Sequence, residues 1–158
     1  MVHVVGVSEM KVTGRPEDRV ITYALGSCVG VTVYDRSTGA GGLLHFQLPN
    51  SQNCRQDMNF NPCMYADTGF DALIRRLTGM GAKKNRLRFK LAGGGCANGR
   101  KDFFQIGKKN CLEIRKVMWK NNIIPDGEYL ESSNPLTMWL DMRDGRTYIR
   151  EKGTVYEI

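Results

Sequence analysis

Two short β-branched runs on either side of a glycine turn constrain this chain most strongly. Val20 to Leu25 and Val29 to Tyr34 flank Gly26-Ser27-Cys28, a pattern that predicts two strands separated by a tight turn. The cluster Asp35-Arg36-Ser37-Thr38-Gly39 predicts a second turn, and Gly41 to Leu48 a further strand stopped by Pro49. A hairpin therefore carries Cys28 near one end and His45 on its returning arm. Asn50 to Pro62 is polar and without periodicity, which predicts a mobile loop close to the end of the His45 strand.

Beyond that loop the period changes. Ala66, Phe70, Leu73, Ile74 and Leu77 recur at helical spacing over about Met64 to Gly79, with Gly79 and Gly81 as a stop. Arg86 to Leu91 alternates strictly and predicts a half-buried strand with a basic outer face, ended by Gly93-Gly94-Gly95. A second helix is predicted over Gly107 to Asn121, burying Cys111, Ile114 and Met118. Short strands follow near Tyr129 to Glu131, Thr137 to Met142 and Arg146 to Arg150, the last two joined by an Asp144-Gly145 hairpin signal. No repeat or interdomain linker interrupts the 158 residues, so the expectation is one α/β domain over residues 1–158, with mixed, largely antiparallel sheets packed with two main helices.

No apolar run approaches the roughly 20 residues of a membrane-spanning helix. Met1 to Val12 has no secretory pattern, which favours a cytoplasmic location without membrane insertion. Five cysteines without a Cys-x-x-Cys pair, and only two histidines, fit neither a disulfide framework nor a zinc site, so no metal is expected. The net charge of +7 comes from the middle of the chain, where residues 75–120 carry 14 Lys/Arg against Asp102 and Glu113. Such a segment is ordinarily a solvated face; as a functional feature it would attract an acidic partner, either nucleic acid or an acidic protein surface.

The hairpin suggests where chemistry lies. If Tyr34 pairs with Gly39 across a four-residue loop, Cys28 stands directly opposite His45. A thiol beside an imidazolium shifts toward thiolate, the form that attacks carbonyl carbon. Gly26 and Ser27 permit a sharp turn that exposes the sulfur and aims backbone N–H groups at one point, as an oxyanion requires. Taken alone, His45 reads as a core histidine on a strand; the Gly-Ser-Cys turn at a compatible register shifts the balance toward a base. The pair makes a cysteine-nucleophile hydrolase.

Leu25-Gly26-Ser27-Cys28-Val29, His45-x-x-Leu48-Pro49, Tyr65-Ala66-Asp67, Ala92-Gly93-Gly94-Gly95 and Ile106-Gly107-Lys108-Lys109-Asn110 stand in the order and approximate spacing of CheD, the bacterial chemoreceptor glutamine deamidase family. Over roughly residues 1–130 the chain resembles that family. The resemblance implies a protein-glutamine glutaminase that converts glutamines in the cytoplasmic helices of methyl-accepting chemotaxis proteins to glutamate, and in some members hydrolyses their methyl esters. It also implies a fold similar to the catalytic domain of cytotoxic necrotizing factor toxins, no cofactor, and regulation by a CheC-type phosphatase. The family's catalytic cysteine, histidine and threonine fall on Cys28, His45 and Thr22. Thr22 lies on the strand leading into the turn, where its hydroxyl could hold the imidazole; its ordinary reading is a β-branched strand former. Two alternatives differ in class: a non-catalytic regulatory partner of the CheC phosphatase, and a basic nucleic-acid-binding module, for which no zinc finger, aromatic RNP motif or helix-turn-helix is found.

Overall fold

The structure is a computed structural model that describes residues 1–96 and 104–158. Arg100, Lys101 and Asp102 of the central segment lie outside the described residues. The described strands are β1 (Val2–Val4), β2 (Glu9–Thr13), β3 (Arg19–Leu25), β4 (Val29–Asp35), β5 (Ala40–Phe46), β6 (Arg88–Gly93), β7 (Gly127–Leu130), β8 (Leu136–Asp141), β9 (Arg146–Glu151) and β10 (Thr154–Glu157). They form two five-stranded sheets, ordered β1-β3-β8-β9-β10 and β2-β5-β4-β6-β7, whose pairings are antiparallel except β1 with β3 and β6 with β7. Helices α1 (Ala66–Gly79) and α2 (Ile106–Lys120) pack on the second sheet. The α/β class with two main helices stands as expected, and β1, β2 and β10 are additional strands. No described helix is long and apolar enough to cross a membrane.

The helix-backed sheet is therefore a middle layer, which explains why β4 and β5 read as nearly continuous apolar runs: both of their faces are covered. Val31, Val33, Leu44 and Phe46 pack with Phe70, Leu73, Ile114 and Met118 toward the helices. Leu43 and Ala92 turn the other way and meet Val20, Leu25, Met138 and Ile149 of the first sheet. Burying each such Leu, Ile or Phe side chain contributes about 1.5–3 kcal/mol. The alternation also sends His45 between the two sheets.

The hairpin register differs from the expected one. Asp35 pairs with Ala40 and Gly30 with His45, so the residue directly across from His45 is a glycine, and Cys28 lies just beyond the last pair, Val29 with Phe46. The cause lies in the loop. Gly39 sits at φ 71° and donates its N–H to the Asp35 carbonyl at 2.8 Å, while the Asp35 carboxylate accepts from Ser37 N–H at 2.9 Å. Glycine is the loop residue that enters the left-handed region at least cost, so the loop occupies residues 36–39 and pairing begins at Ala40.

Asp35 also draws Arg86 inward, away from the basic outer face expected for it. The guanidinium reaches the buried carboxylate at 2.9 Å, and Arg86, with smaller help from the N–H groups of Ser37 and Lys83, holds the carboxyl down to about 2. A depressed carboxyl stabilises the fold above its unfolded value, so this contribution is complete above about pH 4 and is lost as pH falls toward 2. Asp35→Ala strands a partly buried cation and is expected to cost about 3 kcal/mol, read as a lower urea midpoint at neutral pH. An unchanged midpoint would show that the pair adds no stability.

Strand β3 contains the other irregularity that matters. Thr22 pairs with Met138 and Leu25 with Leu136, three residues stepping against two, with Ala24 at φ 56°. The extra residue is a β-bulge, and it reverses the strand's phase. Thr22 and Leu25, an odd number apart, consequently both face the intersheet layer and are both buried.

Candidate active site

Thr22 reaches from the first sheet to His45 on the second. Its hydroxyl lies 2.7 Å from His45 Nδ1 and donates to the Val5 carbonyl at 2.7 Å. A hydroxyl has one proton to give. With that proton directed at Val5, the oxygen must accept from Nδ1–H, which leaves the Nε2 lone pair of the neutral ring free. Nε2 is buried and has no hydrogen-bond partner among the described residues. Burial pulls the His45 pKa from 6.5 to about 4, opposed only in part by Glu9 on the neighbouring strand, so the ring is neutral at pH 7 with a basic nitrogen available.

Cys28 lies on a turn braced from behind. Gly95 N–H donates to the Gly26 carbonyl and Gly94 N–H to the Cys28 carbonyl, both at 2.8 Å. Asn110 Nδ2, from α2, donates to the carbonyls of Ser27 at 2.9 Å and Gln47 at 3.0 Å. All three carbonyls of Gly26-Ser27-Cys28 are thereby engaged. In a trans peptide the N–H opposes the C=O of the preceding residue, so the N–H groups of Ser27 and Cys28 point away from the bracing residues. Gly94 takes φ 66°, and a Cβ there would lie 2.1 Å from Cys111 Sγ; the glycine run lets its backbone approach this closely.

Cys28 is partly buried and packs on the intersheet core. Desolvation raises its thiol pKa above the ordinary value, and its own backbone N–H offsets only part of that. Two sequence expectations are corrected here. Cys28 and His45 are not directly opposed, because the Gly39 turn moves the register. Nor is the ring beside the turn an imidazolium at neutral pH, because burial between two sheets favours its neutral form.

Of the residues singled out in the sequence, the fold brings Thr22 against His45 and sets the Gly26-Ser27-Cys28 turn just past the last β4–β5 pair, Val29 with Phe46. The sequence pattern assigns no role to Asn110 or to the Val5 carbonyl. Asn110 carried a usable signal: a polar residue in phase with the buried Cys111, Ile114 and Met118 must be hydrogen-bonded to lie there. One amide ties the residue before Cys28 to the chain just past His45. Asn110→Ala leaves the part-buried carbonyls of Ser27 and Gln47 without that donor and is expected to cost about 1 kcal/mol and to lower turnover more than it raises KM. Thermal melts and steady-state kinetics read the two effects; wild-type kinetics in a destabilised variant would make Asn110 a fold residue only.

The family model described as CheD chemotactic sensory transduction matches residues 47–151. The chain belongs to the CheD family. A relative from Solibacter usitatus (strain Ellin6076), named probable chemoreceptor glutamine deamidase CheD, is 39% identical over 98% of this chain and 92% of its own length. The probable chemoreceptor glutamine deamidase CheD 1 of Syntrophus aciditrophicus (strain SB) is 37% identical over 95% of this chain and 94% of its own length. A CheD relative from Pyrococcus abyssi (strain GE5 / Orsay), with the same kind of name, is 37% identical over 93% and 90%. The family-model match begins after Cys28 and His45, whereas these CheD relatives align over nearly the whole chain. Among solved structures, a Neisseria meningitidis protein of the DUF152 family covers 91% of this chain and 70% of its own at a TM-score of 0.47 and 11% identity.

Proposed function

We propose that the chain is a cysteine-dependent deamidase that converts glutamine side chains of chemoreceptors to glutamate. The observation that carries the reading is the His45 ring, fixed by Thr22 in the tautomer whose buried Nε2 is free to take a proton. Membership of a family whose relatives are named chemoreceptor glutamine deamidases supplies the substrate class.

Cys28 lies two residues before Gly30, the residue paired with His45, and immediately before the start of β4; Nε2 has no hydrogen-bond partner among the described residues, so side-chain rotation brings the sulfur to it. As substrate enters, Nε2 takes the thiol proton while sulfur attacks the carboxamide carbon; thiol and imidazole both start neutral. The N–H groups of Ser27 and Cys28 hold the oxyanion. The imidazolium gives its proton to the departing ammonia, leaving a thioester. Water, deprotonated by Nε2, hydrolyses the thioester to glutamate and restores the thiol. A glutamyl methyl ester follows the same path with methanol as the leaving group. Regulation by a CheC-type phosphatase belongs to the same reading through family membership.

The direct test is incubation with chemoreceptor cytoplasmic fragments and mass spectrometry of the products. A gain of about one dalton at particular glutamines, with stoichiometric ammonia, is expected, because –NH2 gives way to –OH. Intact receptor mass alongside tight binding of the phosphatase would favour the non-catalytic alternative.

A further inference from the structure

The exposed face of α2 has a pattern that the site itself does not use. Lys108, Leu112, Arg115 and Trp119 recur at steps of four, three and four residues and so form one line along the helix. All four are exposed, Leu112 by 57% and Trp119 by 76%. At one end, Lys108 lines a cavity of about 290 Å³ with Gly94 and Gly95, the residues that brace the Cys28 turn. At the other, Trp119 and Arg115 line a groove of about 540 Å³ with Ile123, Ile124 and Pro125, and Ile124 is 85% exposed. Eleven residues of helix separate the ends by about 16 Å.

The charges identify the occupant. Lys109, Lys116 and Lys120 form an exposed row beside this line, with Glu113 as the one acid of α2 among them; Glu131 lines the Lys108 cavity, and Asp126 and Glu128 are paired with Arg88 and Arg115, so basic groups outnumber acidic ones along the helix. A four-three-four spacing is that of a helix-packing seam. We propose that α2 is a docking rail for an amphipathic, acidic helix of the substrate protein, which lays an apolar residue into the Trp119–Ile124 groove. Its acidic flank faces the Lys109–Lys116–Lys120 row. The substrate's identity rests on the deamidase reading; the docking geometry does not.

The test compares a long chemoreceptor helix fragment, extending at least about three turns to either side of the glutamine, with a peptide of about seven residues around it. Wild type is expected to favour the long fragment in kcat/KM, and Trp119→Ala to cut that preference by about tenfold or more, through KM. Trp139 is buried against Tyr148, so a blue shift of tryptophan emission on adding the long fragment reports Trp119, and salt should weaken it. A Trp119→Ala protein with unchanged melting temperature and unchanged preference would overturn the proposal. So would a wild-type site that binds an oligonucleotide in place of the acidic helix. Binding to the Cys28→Ala protein separates the two readings: Trp119-dependent binding with no ammonia from wild type retains the rail and removes the deamidase, whereas ammonia release with Trp119-independent binding does the reverse.

Discussion

Cys28→Ala is expected to lower ammonia release from a chemoreceptor fragment by at least about 10⁴-fold while the protein melts as wild type does. The methyl that remains fills much of the same half-buried position, so packing on Leu25 and its neighbours changes little, but no thioester can form. Cys28→Ser should fare almost as badly, since a hydroxyl is a far weaker nucleophile beside a neutral imidazole. The raised thiol pKa adds a signature. A cysteine held as an ion pair with imidazolium alkylates fast at neutral pH; this one should react slowly with iodoacetamide at pH 7 and faster as pH climbs, read by peptide mass spectrometry at Cys28. Rapid alkylation that is flat from pH 6 to pH 8 would show a thiolate already formed and remove the neutral-pair mechanism.

Thr22→Val has the second largest expected effect. Valine matches threonine in shape and keeps the strand, yet it removes the acceptor for His45 Nδ1–H and the donor to Val5 together. The ring is then free to carry its proton on Nε2, the nitrogen that must be bare. Loss of the wrong-tautomer safeguard in a charged triad costs about 10⁴-fold; for a neutral partner, about 10²-fold in kcat with KM little changed is expected. Thr22→Ser, which keeps the hydroxyl, should recover most of the rate. Equal turnover in the valine variant would mean that packing alone orients the imidazole. His45 also sets a pH limit. Its folded pKa of about 4 lies below the unfolded 6.5, so the unfolded chain binds more protons in that window. Stability is therefore lost as pH falls from about 6.5 to about 4, read as a lower urea midpoint at pH 5 than at pH 7.

The elements whose periods are long and clean were legible in the sequence. Helix α1 runs from Ala66 and α2 from Ile106, each within two residues of expectation, because Phe70, Leu73 and Leu77, and Cys111, Ile114 and Met118, mark single buried faces. Strands β1, β2 and β10 were not legible: they have three to five residues, all exposed or half-exposed except Thr13, and so resemble loops. Missing β1 concealed the Val5 carbonyl just past its end, and with it the reason that Thr22 must accept from the ring. Cys28 and His45 stand out as candidates through residue chemistry and family resemblance, but their register does not, because a loop of four residues fits at two positions and only the backbone of Gly39 chooses between them. The bulge at Ala24 left no signal either; alanine is an ordinary strand residue, and its left-handed backbone is imposed by the pairing of β3 with β8.

Thr22 and His45 sit on different sheets, and this makes the chemistry contingent on assembly. A chain in which only the helix-backed sheet has formed possesses the imidazole, and beside it the thiol, but its ring tumbles between tautomers. On the proposed mechanism, competence arrives when the outer sheet closes over it and Thr22, turned inward by one surplus residue, meets Nδ1. A nascent or partly opened molecule is thus chemically quiet, and turnover should fade at milder denaturant than the loss of helix, since a small sliding of one sheet over the other disarms the base before anything unfolds.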